Sequence, residues 1–408
     1  MKTAKKKKKK YNLEKIKFNT IEMLLVFTMA LVFGVLIGEA MFSEKNSSFS
    51  LTSTSSKELN EIKSVYNTIL NEYIDKVDSK KLKDAAIKGM ISTLGDKHSM
   101  YIDEKESETF QDELNGYFYG LGVAVSQKKG ELVTINEVYK NSPAEKAGLK
   151  KGDQYLKING EDMSKATADT VSEKIKGTNG KEFTITVKRD NKEKDIKVKT
   201  GRVDIPSVSK EIIEKNDKKI GYIKLSIFAN NTDEQLKEKL KELEKNKIEN
   251  LIIDLRYNQG GELETAINIA SEFLPKKSPI IQIIDKKETN IRYSKGNSNP
   301  KYNIVVLINE GSASASEVLS AALNEQLNVQ LVGETTYGKG TVQKTKELSD
   351  GTIIKYTTET WKTSKGKSID KTGIKPTITV EQGEKYYDTG KQADDIQLQK
   401  AIEQFMKE

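Results

Sequence analysis

Apolar residues recur every three or four positions in the stretch that begins at Lys57, and this spacing places them on one face of a helix. The residues of that face are Leu59, Ile62, Val65, Tyr66, Ile69, Leu70, Tyr73 and Ile74. A second run with the same spacing extends from Leu82 to Met90 and stops before Gly95, a residue type that favours helix ends. The pattern predicts an N-terminal helical region over residues 57–113.

After Gly116 the apolar runs become short and rich in β-branched residues, which is typical of strands. Four strands are predicted, at residues 121–125, 132–135, 154–158 and 183–187. Two short helices interrupt them, at 144–147 and 168–175. This mixture predicts a small β-barrel-like module, which we assign to residues 114–200.

Strands and helices alternate from Ile220 onward. The predicted strands are 220–228, 251–255, 304–308 and 329–332, and helices 233–245, 263–274 and 314–326 follow the first three of them. Such alternation predicts an α/β domain built from βαβ units, which we assign to residues 201–385. A short closing helix at 396–405 lies within a C-terminal helical tail, residues 386–408.

The N-terminal segment differs in composition from the rest of the chain. Residues 1–20 carry nine lysines and one glutamate, which accounts for the formal net charge of the whole chain, +8. The remainder is neutral, so the basic balance does not indicate nucleic-acid binding. Residues 21–42 are nearly all apolar, and about 20 residues at helical rise span the roughly 30 Å of a bilayer core. They predict a single transmembrane helix.

The lysine-rich tail, residues 1–20, is then expected in the cytoplasm, because positive charge is retained on that side of a membrane. A Ser/Thr-rich flexible linker at 43–56 leads to the remaining domains, which are expected outside the cytoplasm. The predicted location is the cell membrane, in a single-pass topology. The alternative is a cleaved signal peptide, for which Gly38-Glu39-Ala40 is an acceptable site, although the apolar stretch is longer than a typical signal sequence.

The chain has one histidine, His98, and no cysteine, which disfavours a transition-metal site. A Ser-His-Asp triad would therefore have to use His98. Ser314 follows the predicted strand 304–308 at the expected start of a helix, where free N–H groups can stabilise an oxyanion. The alternative is an ordinary helix N-cap, because Ser314 and Glu317 also fit a capping box.

Lys339 is a candidate base for Ser314. It lies between Gly338 and Gly340, just after an apolar strand, so its side chain is expected to be buried. Burial lowers the pKa of a lysine, and a neutral lysine can accept a serine proton. The alternative is a solvent-exposed lysine in a chain that is already rich in lysine.

Paired glycines follow the predicted strand 251–255, at Gly260 and Gly261. Their backbone N–H groups can face a ligand and complete an oxyanion hole. The alternative is a structural strand-to-helix turn in which Asp254 and Arg256 pair.

Three strings, at residues 254–261, 311–317 and 333–343, resemble those of the carboxy-terminal processing (tail-specific) proteases. The match extends from about Leu59 to Phe405. The resemblance implies a crotonase/ClpP-like βαβ protease domain. It also implies the roles of five residues: Ser314 as nucleophile, Lys339 as base, Gln343 as the residue that orients the lysine, and the N–H groups of Gly261 and Ala315 as the oxyanion hole.

The module at 114–200 resembles the PDZ domain of that family. Its match to the loop that binds a terminal carboxylate consists of Tyr119, Gly120, Leu121, Gly122 and Val123. Lys176 stands where the family often has an arginine implicated in PDZ gating. In the matching family segment, the histidine equivalent to His98 is not catalytic.

The resemblance implies a membrane-anchored serine endopeptidase with an inserted PDZ domain and no metal or other cofactor. It would recognise the free C-terminus of protein substrates and cleave within their C-terminal region. One alternative is a non-catalytic PDZ scaffold that captures exported tails. Another is a crotonase-like acyl-transfer enzyme, although no phosphate-binding loop is evident. Homo-oligomer formation and an activator protein stay open.

Overall fold

The computed structural model describes residues 53–128, 130–296 and 302–406. The chain divides into two units between Lys83 and Asp84. The first unit contains α1 (Ser53–Glu72) and the start of α2 (Ser79–Ser92), where the apolar periodicity predicts helices. The second unit contains all elements that follow.

Within the second unit, the segment predicted as a β-barrel-like module forms an antiparallel sheet. Its strands are β3 (Val123–Ser126), β4 (Thr134–Val138), β5 (Gln154–Ile158), β7 (Glu182–Arg189) and β8 (Lys192–Lys199), with the short β6 (Glu161–Asp162) beside β5. Strand β3 is one edge of this sheet. Two strands at the ends of the module pair with each other, β2 (Tyr117–Gly120) and β9 (Gly201–Asp204).

Two helices complete this module. The first is α4 (Pro143–Ala147), which begins at the N-cap Ser142 with a proline in its first turn, an arrangement that suits a helix start. The second is α5 (Ala168–Ile175), capped by Thr167, which buries Val171 and Ile175 in the module's apolar core. Spacing of four residues places those two side chains on one helical face.

A six-stranded sheet forms the centre of the α/β part. Its order is β10 (Val208–Lys215), β11 (Lys218–Leu225), β12 (Asn250–Asp254), β15 (Asn303–Ile308), β16 (Gln330–Gly333) and β19 (Ile378–Thr379). All neighbours except β10 and β11 are parallel, as βαβ connections require. The carboxyl ends of the parallel strands therefore meet at one edge of the sheet.

Helices cover both faces of this sheet. The connections α6 (Thr232–Lys245), α7 (Leu263–Phe273) and α8 (Ala315–Leu327) pack on one face. The other face is covered by α10 (Ile396–Gln404), which follows the short α9 (Glu384–Thr389). Strand β12 illustrates the division, because Leu251 and Ile253 face the first cluster and Ile252 faces the second.

A second, antiparallel sheet lies beside this domain. Its order is β1 (Met100–Ile102), β18 (Ile353–Thr363), β13 (Pro279–Ile284) and β14 (Thr289–Tyr293), and β17 (Thr341–Glu347) also pairs with β18. A helix, α3 (Glu104–Asn115), separates β1 from the PDZ-like module. The sequence patterns gave no prediction for these five strands.

Within the described ranges, no helix is both long and apolar enough to cross a bilayer. Helix α1 has 20 residues but carries charges such as Lys57, Glu61 and Glu72, which a bilayer core disfavours. The segment predicted to span the membrane, residues 21–42, lies outside the described residues, as do residues 1–20 and most of the linker. The prediction of a transmembrane helix, and with it of a single-pass location at the cell membrane, is corrected on the finding that the described residues contain no helix able to span a bilayer.

Candidate active site

Ser314 lies in the turn between β15 and α8, at the carboxyl edge of the central sheet. Its backbone has φ +54° and ψ −113°, a conformation that non-glycine residues rarely adopt. The turn is crowded, because a Cβ added to Gly260 would lie 2.9 Å from the Cβ of Ser314. The fold therefore imposes an unfavourable local geometry on this serine, and the glycine opposite leaves room for it.

The three serines of the 311–317 string have different environments. Ser312 is fully buried and donates a hydrogen bond to the Leu255 carbonyl at 2.8 Å. Ser316 is fully buried and donates to the Asn258 carbonyl, also at 2.8 Å. Both serines fasten the turn to the loop after β12. Ser314, in contrast, lines a cavity of about 440 Å³.

Lys339 lines the same cavity. The loop that carries it is fixed on both sides of the residue, because the Lys339 N–H donates to Glu317 and the Lys339 carbonyl accepts from Trp361 Nε1 at 2.7 Å. Burial, and next the positive charge of Lys355, lower the pKa of Lys339 to about 8. This agrees with the low pKa expected from the sequence.

Glu317 connects the Ser314 turn to the Lys339 loop. Its carboxylate is fully buried in the first turn of α8. One oxygen accepts from Thr336 Oγ1 at 2.6 Å and from the Gly338 N–H at 2.7 Å. The other accepts from the N–H groups of Ser314 at 2.8 Å and Lys339 at 2.9 Å. The capping-box motif in the sequence indicated the contact with Ser314 but not the contacts with the lysine loop.

No hydrogen bond joins the Ser314 hydroxyl to the Lys339 ammonium, although both of these described side chains face one cavity. A second lysine, Lys355 on β18, lines the same cavity and an adjoining one of about 690 Å³. Burial lowers the pKa of Lys355 as well. Sequence reasoning missed Lys355, because nothing distinguishes it from the many exposed lysines.

Gln343, the predicted lysine-orienting residue, also lines this cavity, from β17. Its side-chain nitrogen donates to the hydroxyls of Thr341 at 2.9 Å and Thr357 at 3.0 Å. Both amide hydrogens are thereby used. Since the nitrogen side is fixed, the carbonyl oxygen Oε1 is the part of Gln343 left to interact with a cavity group.

The two predicted oxyanion donors come from different segments of the chain, the loop after β12 and the start of α8. Gly261 borders the cavity, and Ala315 is the first residue of α8. In the described part of the chain, neither N–H has a hydrogen-bond acceptor. Gly261 has φ +139°, and a Cβ there would lie 2.3 Å from the Phe228 carbonyl oxygen. Only glycine fits this position.

The Asp254–Arg256 pair is present and lies below the glycine loop. Arg256 donates to both Asp254 oxygens and also to Asp395, just before α10, at 2.8 Å. All three side chains are buried. Asp254 and Arg256 therefore form the structural pair that was the alternative interpretation of residues 254–261. Gly261, in contrast, faces the cavity.

His98 lines the adjoining cavity together with Lys339 and Tyr337. Burial, followed by the charge of Lys339, lowers the pKa of His98. Its large sequence separation from Lys339 gave no indication of this proximity.

The PDZ-like module carries a groove of about 300 Å³ between β3 and α5. Gly120, Leu121, Gly122 and Val123 of the predicted carboxylate loop line it, and Tyr119 is at the end of β2. The Tyr119 carbonyl accepts from the Gly177 N–H at 2.9 Å, which fixes the loop to the end of α5. The free edge of β3 borders the groove, as an added peptide strand would require.

Lys176 lies at the end of α5 and lines this groove. It forms a salt bridge with Asp112 at 3.2 Å and a hydrogen bond to Thr109 Oγ1 at 3.2 Å, both on α3. The neighbouring α3 residues Phe110 and Leu114 line the cavity that contains Ser314. Helix α3 therefore borders both the groove and the candidate active site.

Family models match three parts of the chain. Residues 219–380 match peptidase family S41, and residues 120–200 match the PDZ domain. Residues 36–106 match the N-terminal domain of the activating protease CtpB. These matches define a serine protease that carries a PDZ domain.

Similar proteins narrow the classification of the chain within this class of protease. The carboxy-terminal processing protease CtpB of Bacillus subtilis (strain 168) is 38% identical over 340 residues, which are 82% of this chain and 70% of that protein. A probable CtpA-like serine protease of Staphylococcus aureus (strain N315) is 35% identical over 334 residues, 81% of this chain and 66% of that protein. The chain belongs to peptidase family S41, as a C-terminal processing serine peptidase, and the predicted family is confirmed.

Among solved structures, the photosystem II D1 C-terminal processing protease is similar with a TM-score of 0.46 and 24% identity. The similarity covers 81% of this chain and 94% of that chain.

Proposed function

We propose that this peptidase cleaves within the C-terminal region of substrate proteins by means of a Ser314/Lys339 dyad. The observation that carries the proposal is the different exposure of the three serines. Ser312 and Ser316 are buried and hydrogen-bonded to the backbone, whereas Ser314 shares a cavity with a lysine whose pKa is about 8. A lysine with such a pKa is neutral in about a tenth of the molecules at pH 7 and in about half at pH 8, far more than an ordinary lysine, and can act as a base.

In the proposed mechanism, neutral Lys339 Nζ accepts the Ser314 proton while Oγ attacks the substrate carbonyl carbon. The N–H groups of Gly261 and Ala315 stabilise the oxyanion. The intermediate collapses to an acyl-enzyme as the lysine returns its proton to the leaving amine. A water molecule, deprotonated by the same lysine, then releases the acyl group as a carboxylic acid and restores Ser314.

The test uses the full chain and an unstructured protein with an apolar C-terminal tail, with fragments mapped by mass spectrometry. Wild-type protein is expected to produce fragments cut within the tail, and Ser314→Ala to produce none. Binding of the tail by wild-type protein without any cutting would favour the capture-scaffold alternative. Cutting that survives in Ser314→Ala would overturn the assignment of the nucleophile.

We also propose that the PDZ groove binds the free C-terminus of the substrate. The N–H groups in the turn formed by Leu121 and Gly122 are suited to a carboxylate, and the β3 edge is suited to an extended peptide. Amidation of a tail peptide is therefore expected to weaken binding to Ser314→Ala protein by about tenfold or more, since a charge-assisted hydrogen bond contributes about 1.5–3 kcal/mol. Calorimetry of acid and amide forms checks this, and equal affinities would remove the carboxylate-loop assignment.

We further propose that Lys176 takes part in gating through its contact with α3. A peptide that enters the groove competes with Asp112 for Lys176, and α3 transmits the change to Phe110 and Leu114. A tail peptide added in trans is then expected to change the rate of cleavage of a short fluorogenic peptide in wild-type protein. Lys176→Met should remove most of this response, whereas Lys174→Met, which breaks an exposed pair with Glu161, should retain it. A full response in Lys176→Met would contradict the gating role.

A further inference from the structure

The loop between α2 and β1 brings a carboxylate, Asp96, to the edge of the active site. The Asp96 side chain accepts three hydrogen bonds, from the Ser99 hydroxyl at 2.6 Å, the Thr357 hydroxyl at 2.5 Å and the His98 N–H at 2.9 Å. Ser99 in turn accepts from the Thr357 N–H at 3.1 Å. Asp96 is therefore fixed to β18 through both the backbone and the side chain of Thr357.

The direction of each hydrogen bond in this network is determined. An ionised carboxylate can only accept, so the Thr357 hydroxyl must donate its single hydrogen to Asp96. The same hydroxyl oxygen then accepts from Gln343 Nε2, at 3.0 Å. Asp96 thereby fixes which atom of Gln343 faces Thr357, and the carbonyl Oε1 of Gln343 must point to the other side.

The carboxyl group of Asp96 is ionised at neutral pH. Burial opposes the charge of Asp96, but the hydrogen bonds from Ser99, Thr357 and His98 outweigh burial and lower the pKa of Asp96 to about 2. Asp96 is also the anion with the largest effect on Lys339, larger than that of Glu317.

We propose that Asp96 is a positioning residue for peptide cleavage. Through Thr357 it holds Gln343 so that Oε1 can accept a hydrogen bond from Lys339, and its charge stabilises the ammonium that forms when Lys339 takes the Ser314 proton. The role resembles that of an anion that orients and stabilises a catalytic base. The proposal rests on the proposed function of Lys339 and Gln343.

Four charged or titratable groups act on Lys339 from the surrounding elements. Asp96 comes from the α2–β1 loop, Glu317 from α8, Lys355 from β18 and His98 from beside Asp96. The two anions favour the ammonium and raise the pKa of Lys339, whereas Lys355 lowers it. Cleavage requires the neutral amine, so activity rises with pH through the pKa of Lys339. Each substitution of a neighbouring charge is therefore expected to shift that pKa, and the pH profile with it, in a defined direction.

The experiment measures kcat/KM for one tail substrate across pH in full-length variants. In Asp96→Asn, the acidic limb of the pH profile of kcat/KM is expected to move to lower pH, because an anion near Lys339 is lost. The plateau of kcat/KM at high pH is expected to fall by about 100-fold, because the base is misplaced. In Lys355→Met the limb should move in the opposite direction. Asp285→Asn, which replaces an exposed carboxylate that accepts two loop N–H groups, should match wild type.

A pair of substitutions at Thr357 separates orientation from charge. Thr357→Val removes the hydroxyl that joins Gln343 to Asp96 but leaves the carboxylate, so the plateau should fall while the limb stays close to its wild-type position. Thr357→Ser keeps the hydroxyl and should recover most of the activity. If thermal unfolding shows that Asp96→Asn does not fold, the two Thr357 variants still test whether Asp96 positions Gln343.

An unshifted limb with a wild-type plateau in folded Asp96→Asn would overturn the proposal, as would equal activities of Thr357→Val and Thr357→Ser. The proposed function is tested separately in the same assay. If Lys339→Ala still cleaves, Lys339 is not the base, whatever the Asp96 variants do. If Lys339→Ala is inactive and Asp96→Asn matches wild type, the dyad stands and only the role of Asp96 is lost.

Discussion

Replacing Lys339 with methionine is expected to lower kcat for tail cleavage by about 10³-fold, within the range that general-base catalysis contributes. Methionine has a similar length and fills the same part of the cavity. It also removes the repulsion between two buried ammonium groups, those of Lys339 and Lys355, so the variant should be at least as stable as wild type. Loss of activity would therefore not reflect unfolding.

The measurement is single-turnover cleavage of a tail peptide, with thermal unfolding recorded for the same sample. Lys346→Met is the matched control, because Lys346 lies on the adjacent strand β17 but is exposed. The control should cleave as wild type does. In wild type, kcat/KM should rise as the pH increases through about 8, the pKa of Lys339. An activity of Lys339→Met close to wild type would show that another group accepts the serine proton.

Glu317→Gln is expected to reduce both stability and activity. Each carboxylate oxygen accepts two hydrogen bonds in a fully buried site. Glutamine keeps one oxygen and places an NH₂ group against two donors, which costs about 1–3 kcal/mol per unsatisfied donor. The free energy of unfolding should fall by about 2–6 kcal/mol. Because the same carboxylate holds Ser314 and Lys339, kcat should fall by at least about tenfold even in folded protein.

Urea unfolding gives the stability change, and kcat is measured at a temperature at which the variant is folded. Glu325→Gln is the matched control on the same helix, since Glu325 accepts from Thr363, Ser364 and Lys365, none of which lines the cavity. This control should lose stability and keep kcat. A Glu317→Gln variant that loses stability but keeps its wild-type kcat would limit Glu317 to a structural role.

The sequence was most informative where local patterns coincide with three-dimensional structure. Apolar runs such as 251–255 and 304–308 became parallel strands, and Ser314 and Lys339 appear at the ends of such runs. Strand β18 was missed because most of its side chains are only partly buried, so it lacks a clear alternation. Helix α3 lies almost entirely within the predicted helical region 57–113, but it was not predicted as a separate helix, because it has few apolar residues and buries only Ser107.

The rest of the site depends on contacts that no local pattern reveals. Asp96 and His98 lie in a polar loop, and Lys355 follows two isoleucines in a strand. Only tertiary contacts bring them to the site, because Asp96 accepts from Thr357 of β18, and His98 and Lys355 line a cavity with Lys339. Glu317 was visible as half of a capping box, but its contacts with Gly338 and Lys339 require the β16–β17 loop to fold back over α8. Their importance comes from tertiary structure.

The hydrogen bond between Thr357 and Asp96 joins residues 261 positions apart in the chain. A nascent chain therefore contains Asp96 long before it contains β18, and the network around Gln343 cannot close until almost all of the protein has been synthesised. Contacts of such long range form late in folding. The protein therefore becomes an active protease last. By then its own segments, which it would cleave only in extended form, are already folded.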